Sequence, residues 1–151
     1  MIHLATRFFG SLRRGAPADE AWAIAQLTDG EHRLWVRMSD PDRRHAVAVA
    51  QQLGDRPRPV LAAALLHDVG KVESGLGTFA RVGATVLGTV TRSWGGRVGR
   101  YLHHDELGGA LLTEAGSDPL TVAWAREHHL PEARWSVPVD IGRALKAADD
   151  D

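Results

Sequence analysis

The chain has 151 residues, the length of a single domain built around one core. Its 44% apolar and 25% charged residues are those of an ordinary globular protein, and a net charge of -1 supplies no field that would draw it onto a nucleic acid polymer or an anionic membrane. With no cysteine there is no disulfide and no thiolate metal site, so any metal must be held by His and carboxylates.

The opening MIHLATRFFGSLRRG lacks a continuous apolar stretch and a small-residue cleavage site, and no window reaches the about 18 apolar residues of a membrane span. A cytoplasmic protein without a membrane span is expected. Leu4, Phe8 and Leu12 recur at four-residue spacing and predict a first helix; Pro17-Ala-Asp-Glu20 reads as the start of a second, carrying Trp22, Gln26 and Leu27. Thr28-Asp-Gly-Glu31 has the form of a capping box and predicts a third helix with Leu34, Trp35 and Met38 on one face. Ser39-Asp-Pro-Asp42 ends it and caps RRHAVAVAQQLG, where His45, Val49 and Leu53 share an inward stripe before Gly54.

GDRPRP, 54–59, is a connector, and VLAAALLHDVGK, 60–71, is predicted as one helix with Val60, Ala64, His67, Asp68 and Lys71 on or beside one face. Phe79, Val82, Val86, Leu87 and Val90 keep a helical spacing, and Ser93–Gly99 reads as a loop. A helix from Asp105 turns Leu107, Leu111 and Leu112 inward and leaves His104 at its mouth. Ser117-Asp-Pro opens another, with Leu120, Trp124 and His128 four residues apart. IGRALKAADDD, 141–151, closes the chain with Ile141, Leu145 and Asp149 in line. No strand alternation and no repeat appears, so the fold reads all-α.

Five of the eight histidines stand in three tight places: His67 beside Asp68, His103-His104 and His128-His129. The inward polar positions are then His45, His67, Asp68, His104, His128, His129 and Asp149. Each alone has a plainer reading, as a hydrogen-bonded core histidine or a solvated acidic tail. Together they would each cost a few kcal/mol to bury without partners, and metal coordination supplies the partners. Imidazole and carboxylate without sulfur suit iron or manganese, with nickel, zinc or magnesium also tolerated. Seven ligands are too many for one ion with open positions, so two divalent ions are expected, with Asp68 reaching both. Such a pair activates water and clamps attacking and leaving oxygens, chemistry suited to phosphate esters. Lys71, three residues after Asp68, reads either as a phosphate contact or as a helix-end cation favoured by the dipole.

The order His45, His67-Asp68, Asp149 resembles the HD superfamily of metal-dependent phosphohydrolases over roughly residues 40 to 150. Within that range LLHDVGK, HHDELGGALL, REHH and ALKAAD resemble the blocks of HD domains related to the HD-GYP branch. The resemblance implies an all-α HD-domain bundle at 40–151 behind a helical extension at 1–39, in one domain of 1–151. It also implies that His45, His67, Asp68, His104, His128, His129 and Asp149 are metal ligands and that Asp68 and Lys71 serve catalysis. His104 is preferred to His103 because it borders the expected helix start. Leu130-Pro-Glu-Ala stands where Gly-Tyr-Pro would follow the paired histidines, so cyclic dinucleotide hydrolysis is not expected. Pro41, one turn before His45, replaces a glutamate that helps some relatives hold a third metal, so a trinuclear centre is not expected either.

The expected function is hydrolysis of a small phosphate mono- or diester, a nucleotide or nucleotide-derived compound, through metal-activated water at a mono- or dinuclear centre. The rivals are a non-catalytic regulatory HD domain that keeps its ligand set for binding, and a di-iron oxygenase of the kind the fold also supports. Residues 1–39 carry no assigned chemistry; Trp22 and Trp35 read as core or docking residues. Arg7, Arg13 and Arg14 read as a solvated face, with contact to anionic lipid as the alternative.

Overall fold

The computed structural model describes residues 16–72 and 97–151. The helices expected through Leu4, Phe8 and Leu12 and through Phe79–Val90 lie outside the described residues, as do Arg7, Arg13 and Arg14. Among the described residues there are seven α-helices, two short 3-10 turns and no strand, an all-α architecture. The helices are α1 (Pro17–Ala25), α2 (Asp29–Trp35), α3 (Asp40–Gln52), α4 (Arg58–Leu66), α5 (Arg97–Glu114), α6 (Pro119–Glu127) and α7 (Val139–Asp150); the turns are Val69–Lys71 and Glu132–Arg134.

Local chemistry starts these helices where the sequence marks them. At α2 the Glu31 N–H donates to Thr28 Oγ1 (3.2 Å) and the Thr28 N–H donates to Glu31 Oε2 (2.9 Å), which completes the capping box. Ser39 Oγ accepts from the Asp42 N–H at the head of α3, and Asp118 Oδ1 accepts from the Leu120 N–H at the head of α6.

The bundle is organised by α4. Its residues Val60 through Leu66 are all buried, none more than 6% exposed. A helix apolar all round must be surrounded, and α4 packs against α3, α6 and α7. Truncating a side chain such as Leu65 to alanine there costs about 2–5 kcal/mol. The buried apolar residues of α1 and α2 (Ala23, Leu34 and Trp35) belong to the same hydrophobic cluster. Trp35 is fully buried, and its Nε1–H donates to Glu20 Oε1 (2.8 Å), which also accepts from Arg43 Nη1 (3.0 Å), so one carboxylate ties α1, α2 and α3 together.

Several boundaries differ from expectation, and two of them shape the site. Helix α4 already begins at Arg58 because Pro59, in the first turn, occupies a position whose N–H has no helical acceptor. It ends at Leu66, not Lys71, so His67-Asp68 stands just beyond a helix and Lys71 in a 3-10 turn. Helix α5 begins at Arg97, not Asp105, so His104 lies well inside a helix and not at its mouth, and the expected loop through Gly99 is helical from Arg97. Gly99 costs a helix only about 1 kcal/mol, which an 18-residue helix packed on α6 can carry.

The close approach of α5 to the 3-10 turn requires Gly70. A Cβ at this position would overlap the His104 backbone carbonyl, and the Gly108 backbone N lies 2.9 Å from where it would stand. The turn that carries Asp68 and Lys71 is thereby pressed onto the helix that carries His104 and Asp105.

Candidate metal centre

Two helices end at the centre of the bundle, and each places a histidine at its C-cap: His67 at the end of α4 and His128 at the end of α6. The last carbonyls of a helix lack intrahelical donors, and here the imidazoles supply them. His67 Nδ1–H donates to the Ala64 carbonyl (2.7 Å), and His128 Nδ1–H is shared between the carbonyls of Trp124 (3.1 Å) and Ala125 (3.2 Å). These acceptors fix the proton on Nδ1 and turn both Nε2 atoms inward, the arrangement that prepares imidazoles as ligands. The negative ends of two helix dipoles meet at the same place and favour a cation there.

The ligand-type side chains fall into two groups. His45, His67 and Asp149 form one; Asp105, His128 and His129 form the other, and in each the donor atoms lie within 4.8 Å of one another. In the first, Asp149 Oδ1 is 2.9 Å from His45 Nε2 and 3.4 Å from His67 Nε2. In the second, Asp105 Oδ2 accepts from His129 Nδ1 (2.9 Å), and Asp105 Oδ1 is 3.9 Å from His128 Nε2. Asp68 stands between them, with Oδ2 3.5 Å from His67 Nε2 and Oδ1 3.7 Å from His128 Nε2. The rings of His45, His67, His128 and His129 follow one another with centroid separations of 5.8, 5.3 and 4.0 Å. Lys71 donates to Asp68 Oδ2 (2.7 Å) and is 47% exposed, at the open side of the carboxylate.

The electrostatics follow from this crowding. Burial resists ionisation of Asp68, but His128, His67 and Lys71 together outweigh it and hold the carboxyl well below the usual carboxylate range. Asp149 is held below that range by His45 and His67, against its partial burial. Burial disfavours the His67 cation, yet Asp149 and Asp68 more than compensate and raise its pKa. Lys71 is likewise raised: partial burial opposes its charge, and Asp68, with smaller contributions from Asp42 and Asp149, overrides it.

The donor set suits a divalent cation. His128 is 1% exposed and its Nε2 has no hydrogen-bond partner, although two carboxylate oxygens lie 3.7 and 3.9 Å away. With Nδ1 committed to the Trp124 and Ala125 carbonyls, Nε2 is the atom His128 would offer to a cation held between these oxygens. A cation with metal–ligand bonds of about 2.1 Å separates its ligand atoms by about 3.0 to 4.2 Å, the range in which these contacts fall.

Of the seven ligands expected from the sequence, His45, His67 and Asp149 stand in one group, His128 and His129 in the other, and Asp68 between them. His45 is 44% exposed and reaches in from the rim, not from the core side expected of it. Asp149, two residues before the last, lies within α7 and is held by two imidazoles. His104 belongs to neither group: it is exposed, and its Nδ1–H donates to the Gly70 carbonyl (3.2 Å). The sequence reading makes Asp105 only a helix start. The signal that could have found it is its register: seven residues before the fully buried Leu112, it is an acidic group on an apolar stripe.

No match was found among curated proteins or among solved structures. The family model described as HD domain matches residues 43–150, which include both histidine–carboxylate groups and Asp68. The match spans well over half of the sequence, and the chain belongs to the HD-domain family, a superfamily of metal-dependent hydrolase type.

Proposed function

We propose that this HD domain is a phosphohydrolase that cleaves a small phosphate ester, a nucleotide or nucleotide-derived compound, at a dinuclear centre. The observation that carries the reading is the position of Asp68, whose two oxygens face imidazoles of two separate ligand groups while Lys71 holds its open side. Residues His45, His67 and Asp149 would hold one ion, His128 and His129 would contribute to the other, and Asp68 would be shared; iron or manganese suits these ligands best. Bound there, two ions supply Lewis acidity and a water acidic enough to react at neutral pH.

The chain's own groups account for the rest. Asp68, ionised throughout the physiological range, accepts a hydrogen bond from the attacking water and orients it toward phosphorus. Lys71 keeps its proton, lies half exposed where a substrate enters, and offsets charge that develops on the phosphoryl oxygens. Its hydrogen bond to Asp68 sets the ammonium beside the reacting group before substrate arrives. The buried His67 and His128, tied to helix-end carbonyls, hold the geometry without reorganisation.

The test is turnover of a generic phosphomonoester and of a nucleotide panel by the full chain loaded with Mn²⁺, beside His67→Ala. Metal-dependent release of phosphate that His67→Ala abolishes is the expected result. Activity that neither chelation nor His67→Ala changes would sink the proposal. Metal-loaded protein that binds nucleotides and turns none over would favour the regulatory reading.

A further inference from the structure

We propose that Asp105 is a ligand of the second ion and takes the place that the family resemblance gives to His104. The inference rests on the metal-centre reading above and identifies one of its ligands.

Three observations carry it. Asp105 is a carboxylate with only 5% of its side chain exposed, inside a helix, and among the described residues its ion-pair partners are two imidazoles and no Lys or Arg. Among the described residues His129 is its hydrogen-bond donor, and a buried carboxylate costs several kcal/mol unless its charge is paired, which a bound cation would complete. Its donor atoms complete a compact group with His128 and His129, all within 4.8 Å. And the partnerless Nε2 of His128, on a residue 1% exposed, is aimed between Asp105 Oδ1 and Asp68 Oδ1. An imidazole whose other nitrogen is committed to helix-end carbonyls and two carboxylates, converging on one point, form a donor set for a divalent cation.

His104 does not share this environment. It is exposed, commits Nδ1–H to the Gly70 carbonyl and stands outside both groups. The two residues are adjacent on α5 and project about 100° apart around the helix, so one can face His128 and His129 while the other faces the 3-10 turn. The consequence is a balanced centre: each ion has two imidazoles, one carboxylate of its own (Asp149 or Asp105) and a share of Asp68.

The experiment is equilibrium dialysis of the full chain against Mn²⁺, with bound metal counted, for wild type, Asp105→Asn and His104→Ala. Far-UV circular dichroism and metal-free melting verify that each variant is folded. Wild type should bind two ions. Asp105→Asn should retain one at wild-type affinity and bind the other roughly 100-fold more weakly or not at all, while His104→Ala should keep two. If Asp105→Asn does not fold, Asp105→Glu keeps the charge, and weakening of one ion of the two is again expected. Two ions bound at wild-type affinity by Asp105→Asn, or loss of one ion in His104→Ala alone, would overturn the assignment and leave the metal centre standing. A wild-type chain that binds no Mn²⁺ would overturn the metal centre itself and Asp105 with it.

Discussion

Replacing Gly70 with alanine tests how the fold holds the site. The added methyl would overlap the His104 carbonyl and crowd the backbone N of Gly108 at 2.9 Å, so backbone on one helix blocks it at two points and no flexible side chain can yield. Overpacking typically costs about 1–3 kcal/mol, and a backbone obstacle places this site at the upper end. For a chain of this size about 3 kcal/mol lowers the melting temperature by roughly 6–12 °C. Separation of the 3-10 turn from α5 also breaks the His104–Gly70 hydrogen bond and moves Asp68 away from the Asp105 group, so Mn²⁺ affinity should fall with stability. Gly54→Ala is the control: nothing lies within 4 Å of the new methyl, and only its left-handed φ of 68° is penalised, by about 1–2 kcal/mol. Melting curves and Mn²⁺ titrations of both variants decide the matter. A Gly70→Ala protein that melts within about 2 °C of wild type and binds Mn²⁺ normally would refute the close approach.

Three further outcomes are expected. Lys71→Ala should lower kcat/KM for phosphate release by roughly 100-fold while the bound Mn²⁺ count is unchanged; loss of metal instead would assign Lys71 to the stability of Asp68. Without metal, the raised pKa of His67 contributes stability that is complete below about pH 6.5 and is lost as pH rises through the folded value, while the lowered pKa values of Asp68 and Asp149 contribute above about pH 4 and are lost as pH falls through theirs. The metal-free protein should therefore melt highest between about pH 4 and 6.5 and less stably at pH 8, whereas Mn²⁺ affinity, which requires His67 to release its proton, should rise over the same interval; a metal-free melting temperature that climbs from pH 6 to 8 contradicts the pairing. Finally, Mn²⁺ at about 100 times its Kd should stabilise the chelated protein by about 2.7 kcal/mol, read as a rise of roughly 5–11 °C on melting and reversed by chelator.

Much of this molecule is legible in its sequence because local and tertiary demands agree. The Thr28–Glu31 capping box, the Ser39 cap, the helix start at Ser117-Asp-Pro and the apolar Val60–Leu66 run are read and found where they stand. Where the reading slipped, a tertiary contact decided. Nothing in LLHDVGK announces that the helix stops at Leu66; what lies opposite Gly70 is the backbone of α5, some 34 residues later. The glycines before Arg100 read as a loop, but packing on α6 and on the 3-10 turn holds a helix from Arg97. Because that helix starts earlier, the neighbours His104 and Asp105 are set by its rotation and not by a cap. An adjacent pair on a helix cannot be resolved from periodicity that is counted from a misplaced start. The sequence reading puts His45 and Asp149 in one ligand set, and the packing of α3 against α7 brings them into contact across 104 residues.

The central claim is that Asp68 lies between two divalent ions. Anomalous diffraction from crystals of the Mn²⁺-loaded protein tests it most directly. The account predicts two manganese peaks about 3.5–4 Å apart, one among His45, His67 and Asp149, the other beside His128 and His129, with the Asp68 carboxylate between them. A fully loaded crystal without a peak in either group, or with one peak that Asp68 does not touch, would contradict it.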